Sequence, residues 1–81
     1  MSNATYLVTN QAQIMKIVGE TTDKEGIVYQ AKSVRSHKRE CFFVEEEGAE
    51  VEAIKEANVS LVDTNYSVLR NQVDKVLGII D

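Results

Sequence analysis

Few side chains in this sequence are suited to chemistry. The only cysteine, Cys41, follows the only histidine, His37, by four residues, with Glu40 between them as a third donor. A structural zinc site takes four ligands in tetrahedral geometry, usually from paired Cys and His motifs, and no second pair exists here. A nucleophilic Cys41 would need a base beside the thiol, and His37 is the sole histidine on offer. The expectation is a solvated loop histidine, a buried or half-buried strand cysteine, and neither metal nor cofactor. The sets Glu45, Glu47 and Glu50, Glu52 could meet across a hairpin, where like charges favour the proton sharing that acid/base chemistry uses. A solvated strand face explains them as well, and so small a chain has little room for a water-excluding pocket. The sequence therefore reads as non-enzymatic.

Charge is more informative. The stretch Lys32-Ser33-Val34-Arg35-Ser36-His37-Lys38-Arg39 places four cations and a histidine in what reads as a flexible loop. Such a loop can follow phosphates without reading bases, and Ser33 and Ser36 would add neutral donors. Aromatic interleaving is missing from the loop itself, with Tyr29, Phe42 and Phe43 the nearest rings. Lys32, Arg35, His37, Lys38 and Arg39 are thus candidate contacts to phosphate or to an acidic partner. Glu45, Glu46, Glu47, Glu50, Glu52 and Glu56 follow, so the molecule has separate basic and acidic regions. Over the whole chain, 9 Lys+Arg stand against 13 Asp+Glu, a net charge of -4, which argues against non-specific binding to nucleic acid or anionic lipid. A third reading takes the acidic 45–56 surface as a mimic of nucleic-acid charge.

These residues must be positioned by a thin core, because an 81-residue chain buries only about 60 to 65 per cent of its unfolded surface. Disulfides cannot staple it, since it has one cysteine. The longest apolar runs are a few residues, so neither a signal peptide nor a membrane span is expected, and the location expected is cytoplasmic. Residues 1–4 resemble a cloning remnant and carry no functional weight. The remainder reads as one domain, without proline, repeat or linker.

Between residues 13 and 63 the pattern is that of short strands: Met15, Ile17 and, out of phase, Val18; Gly26 to Lys32; Cys41 to Val44; Val51 and Ala53; Val59 and Leu61. Turns are expected at 20–25, at 36–38 and at Glu47-Gly48-Ala49. Tyr6 to Thr9 could be a first strand, and residues 10–18 either a strand or a short helix, with strand preferred. Residues 49–58 are rich in helix formers but alternate after a Glu-Gly turn, so strand is again expected. From Asp63 the period changes. Asp63 or Thr64 suits an N-cap, and Tyr66, Leu69, Val73, Val76 and Ile80 recur at three- and four-residue spacing, predicting a helix over 64–80. Gly78 is a plausible stop, although Ile80 keeps the phase.

The resulting fold class is mainly β with a C-terminal α-helix, as a small five-stranded barrel-like or strongly bent antiparallel sheet over 5–63. Gly26-Ile27-Val28, Phe42-Phe43-Val44, the Glu47-Gly48 turn, Ile54 and Asn58-Val59-Ser60-Leu61-Val62-Asp63 together resemble the small Src-homology-type barrels, including the KOW and Tudor-like modules. The resemblance covers about two-thirds of the chain and implies binding of proteins or nucleic acids without catalysis. The sequence departs from it in lacking the aromatic cage with which a Tudor module holds methylated side chains. The helix stripe Tyr66, Leu69, Val73, Val76 and Ile80 could fold back as a lid or pair with a second copy. Val68, Leu77 and Ile79 lie off the stripe, and a helix apolar on two sides favours touching both its own sheet and a neighbour. The expectation is a self-associating, protein-binding module, with a nucleic-acid-binding accessory protein as the alternative.

Overall fold

The computed structural model describes residues 4–79. It is mainly β, with strands β1 Tyr6–Thr9, β2 Ile14–Asp23, β3 Gly26–His37, β4 Phe42–Glu45, β5 Glu52–Lys55 and β6 Val59–Asp63. A 3-10 turn, Glu56–Asn58, precedes β6, and one helix, α1 Tyr66–Val76, closes the chain. No helix among the described residues is long and apolar enough to cross a membrane.

All pairings are antiparallel, and the sheet runs β4-β3-β2-β1-β6, with β5 also on β3. Residues Val28 to Ala31 of β3 are paired on both edges, with β2 and with Glu52–Lys55 of β5. From β5 to β6 the sheet therefore takes four strand-to-strand steps, about 19 Å if flat. The link from Lys55 to Val59 is four Cα steps, at most about 14 Å extended and roughly 8 Å as a 3-10 turn. The sheet must bend to let the chain make the connection. Bending encloses an inner face, where Leu7, Met15 and Ala31, all at most 1% exposed, meet Ile17, Tyr29, Ile54 and Val59 from five strands in all. On the outer face, Val8 and Ile14 meet Leu69 and Val73 of α1, with Tyr6, Val34, Phe43, Leu61 and Val76 around them.

The sheet has six strands rather than the expected five, because Tyr6–Thr9 adds a strand to the five read between residues 13 and 63. β4 and β5 do not pair with each other, so Glu47-Gly48 is a turn within a connection and not a hairpin tip. In β5 the inward residue is Ile54, opposite Tyr29, while Ala53 and Val51 are exposed, reversing the predicted phase. Residues 10–12 form a turn before β2, with Ala12 at φ 67 and the Thr9 hydroxyl accepting from the backbone of Gln11 and Gln13. The β2–β3 turn is narrower than expected: Asp23 already pairs with Gly26, and its carboxylate accepts from the Glu25 N–H at 2.8 Å. Gly26 adopts φ +126, and a side chain there would meet the Glu56 carboxylate at 2.9 Å. Val18 is out of phase because it is a bulge: Ile17 pairs with Ala31 and Gly19 with Gln30, leaving Val18 unpaired and 49% exposed.

The helix is shorter than the predicted 64–80. Its N-cap is Asn65, whose Oδ1 accepts from Val68 N at 3.1 Å. Asp63 cannot serve, because it still pairs with Tyr6 in β6; its carboxylate instead accepts from Thr64 and Asn65. At the other end Gly78, at φ 78, donates to the Lys75 carbonyl and Ile79 to that of Asp74, the two bonds of a Schellman stop. Ile80 lies outside the described residues.

Leu69 is fully buried, so Leu69→Ala should lower stability by about 2 to 5 kcal/mol, whereas Asn65→Ala, which removes only the cap, should cost about 1 kcal/mol. Urea unfolding of both variants checks the order, and equal losses would contradict this packing.

Candidate interaction surface on the β3–β4 hairpin

The basic stretch is not a flexible loop. Residues 32–37 belong to β3, and only Lys38 and Arg39 lie in the turn before β4. The β-branched Val34 continues the strand by pairing with Glu45 and packing on the outer core, which extends β3 into a hairpin with β4. The turn is closed by the Cys41 N–H donating to the His37 carbonyl at 2.8 Å. Cys41 is therefore not a strand residue: it occupies the turn at φ 60, with an exposed free thiol whose Sγ lies 3.6 Å from the Lys38 carbonyl.

The structure divides the basic residues into two groups. Lys32 is occupied: its Nζ lies 3.6 Å from Glu45 Oε1, while Lys16 holds the other oxygen at 3.5 Å. Arg35, Lys38 and Arg39 are exposed, and none has a carboxylate within 4.0 Å among the described residues. His37 sits opposite Phe42, the rings stacked at 5.0 Å and 15°, and its Nδ1 is 3.7 Å from Glu40. Phe42 remains 47% exposed. The ring missing from the basic stretch in sequence is thus supplied from across the hairpin, a juxtaposition that only strand register reveals.

A second aromatic set surrounds Phe43, whose ring lies 4.7 Å from both Tyr6 and Tyr66. With Cys41, Phe42, Thr64 and Asn65 these rings line an open groove of about 380 Å³. Sequence reasoning missed this set, because residues 6, 43 and 66 lie on three elements and carry no common spacing. Phe43 touches both tyrosines, and Tyr6 and Phe43 pack on the outer core, which fills the space that a cage for a methylated side chain would keep open. The Tyr66 hydroxyl is buried, with no hydrogen-bond partner among the described residues.

The hairpin across which these glutamates could have met does not form, since β4 and β5 each pair with β3 alone. Glu45 serves the two lysines, and Glu46, Glu47, Glu50, Glu52 and Glu56 are exposed. Among the described residues no group of three or more His, Cys, Asp or Glu side chains is placed to hold a metal ion. The helix stripe is occupied within the chain: Leu69 and Val73 are buried on the sheet, and Val76 and Tyr66 are half-buried against it. An interface between copies cannot be lined by Leu69 or Val73 without opening the core. Comparison with protein-family models, with curated proteins and with solved structures finds no match to this chain.

A buried hydroxyl without a partner carries a desolvation penalty, so Tyr66→Phe should raise the unfolding free energy by about 1 kcal/mol. Urea midpoints measured at unchanged slope check this, and a loss of stability would mean that the hydroxyl has a partner.

Proposed function

We propose that this chain is a small, non-enzymatic interaction module of the Src-homology-barrel type that binds an acidic segment of another protein with the tip of its β3–β4 hairpin. The observation that carries the reading is Phe42, exposed and stacked on His37, with Arg35, Lys38 and Arg39 nearby and free of carboxylate partners. A large exposed ring beside unpaired cations offers apolar area and charge together, the composition of an interface anchor. The opposite charge of the remaining chain turns away non-specific anions and makes the hairpin the place where an acidic ligand is attracted.

A second reading, single-stranded nucleic acid, is favoured by the same stack. A base can lie on the Phe42 ring while the flanking cations follow its phosphates. Because Glu45 occupies Lys32, three cations and not four would contribute, giving a slope of log affinity against log salt of roughly -2 on a single strand.

Titrating isotope-labelled protein with a glutamate-rich peptide carrying one tryptophan should shift the amides of residues 35–42. Replacing Arg35, Lys38 and Arg39 together by Ser should abolish the shifts while changing stability by under about 0.5 kcal/mol per site. A labelled single-stranded oligonucleotide, titrated at about 50 mM salt, is the parallel arm. Binding of the oligonucleotide but not the peptide would replace the first reading by the second. Silence of the hairpin toward both would overturn both partner readings.

A further inference from the structure

The same hairpin ends in a strand edge that no other strand covers among the described residues. β4 pairs with β3 alone, so among the described residues its outer row of N–H and C=O groups faces no other strand. Natural edge strands are blunted by shortness and by charge, and β4 is short, at four residues. Its charges, however, have an unusual order. Lys38 and Arg39 precede the strand, with Glu40 turned to His37; Phe42, Phe43 and Val44 form the apolar part of the strand, Glu45 ends it, and Glu46 and Glu47 follow it.

Flanks of a single sign would repel any second copy, whichever way it approached. Flanks of opposite sign repel only a parallel neighbour, which sets lysine and arginine beside their own kind and glutamates beside glutamates. An antiparallel neighbour is attracted at both ends, because each basic turn then lies beside the other copy's acidic run. Glu45 is already held by Lys16 and Lys32, which leaves Glu46 and Glu47, both exposed, as the free acceptors for Lys38 and Arg39. Phe42, 47% exposed, would be covered by the apolar centre of the second strand.

We propose that the chain self-associates by antiparallel pairing of β4 with β4 of a second copy about a two-fold axis, the basic turn of each copy lying beside the Glu46-Glu47 pair of the other. Such a contact is isologous and therefore closes as a dimer, instead of growing into a fibre through this edge. The dimer extends the sheet of each copy across the junction, the mode by which exposed edges recognise extended chains. The inference shares with the proposed function the reading of this hairpin as a contact surface, but its occupant is a second copy.

Sedimentation of the intact chain at low salt should give a dimer that dissociates as salt is added. Two charge-reversed proteins test the pairing: one carrying Lys38→Glu with Arg39→Glu, the other Glu46→Lys with Glu47→Lys. Each alone should associate roughly ten- to a hundredfold more weakly than the unaltered chain. An equal mixture should recover the dimer, because every contact across the mixed pair is again between opposite charges. Circular dichroism confirms that both proteins are folded, and β4 amides should exchange more slowly at high protein concentration. A monomer at about 100 µM and low salt, a dimer indifferent to both reversals, or a mixture that fails to recover would each overturn the proposal. Failure of the acidic peptide and oligonucleotide to bind, with the salt-sensitive dimer intact, would overturn the partner reading and leave this one standing.

Discussion

The three-residue connection between β5 and β6 is the constraint on which the rest of the molecule depends. It joins strands that stand at opposite ends of a sheet path, and it is too short to cross a flat sheet. The bend that follows gives a chain of 81 residues an inner face it could not otherwise close, filled by Leu7, Met15 and Ala31. Without the bend these residues would line an open sheet face and need a second layer, which the single helix cannot supply because it lies on the other face against Val8 and Ile14. Two small clusters back to back through one sheet thus replace the single larger core of a bigger domain.

Several local features serve that bend. The bulge at Val18 adds a residue to β2, and the shift at Val8/Thr9 loosens the register of β1 against β6. Asn10 fastens the β1–β2 turn to the 3-10 link, donating its side-chain amide to the Ala57 carbonyl and its backbone N–H to that of Asn58, both at 2.9 Å. The link is therefore tied to the sheet it closes.

How much of this was legible follows from the range of each signal. Leu69, Val73 and Val76 carry the helix in their spacing, and five of the six strands announce themselves through β-branched and aromatic runs; both are local properties of the chain. Its ends were less legible, since Asn65 and not Asp63 caps the helix for a reason that sits 57 residues upstream, in the pairing of Tyr6 with Asp63. Val34 misled as part of a charged loop because the cluster it packs on, Val8, Ile14, Leu69 and Val73, is assembled from β1, β2 and α1. The site was half legible: the cations could be counted, but the ring beside His37 and the carboxylate on Lys32 depend on the register of β3 against β4.

That register also sets which charges flank the apolar part of β4. Pairing Val34 with Glu45 brings the carboxylate over Lys16 and Lys32, two lysines that face each other across β2 and β3 and would otherwise repel. One residue of the acidic run is thereby drawn into the sheet's own electrostatics, and one residue of the basic stretch is withdrawn with it. The pairing of His37 with Phe42 closes the same hairpin at its tip, and among the described residues no carboxylate takes up Arg35, Lys38 or Arg39. A strand with free cations before its apolar centre and free carboxylates after it is polar in direction. That direction is set by the four register pairs that join β4 to β3.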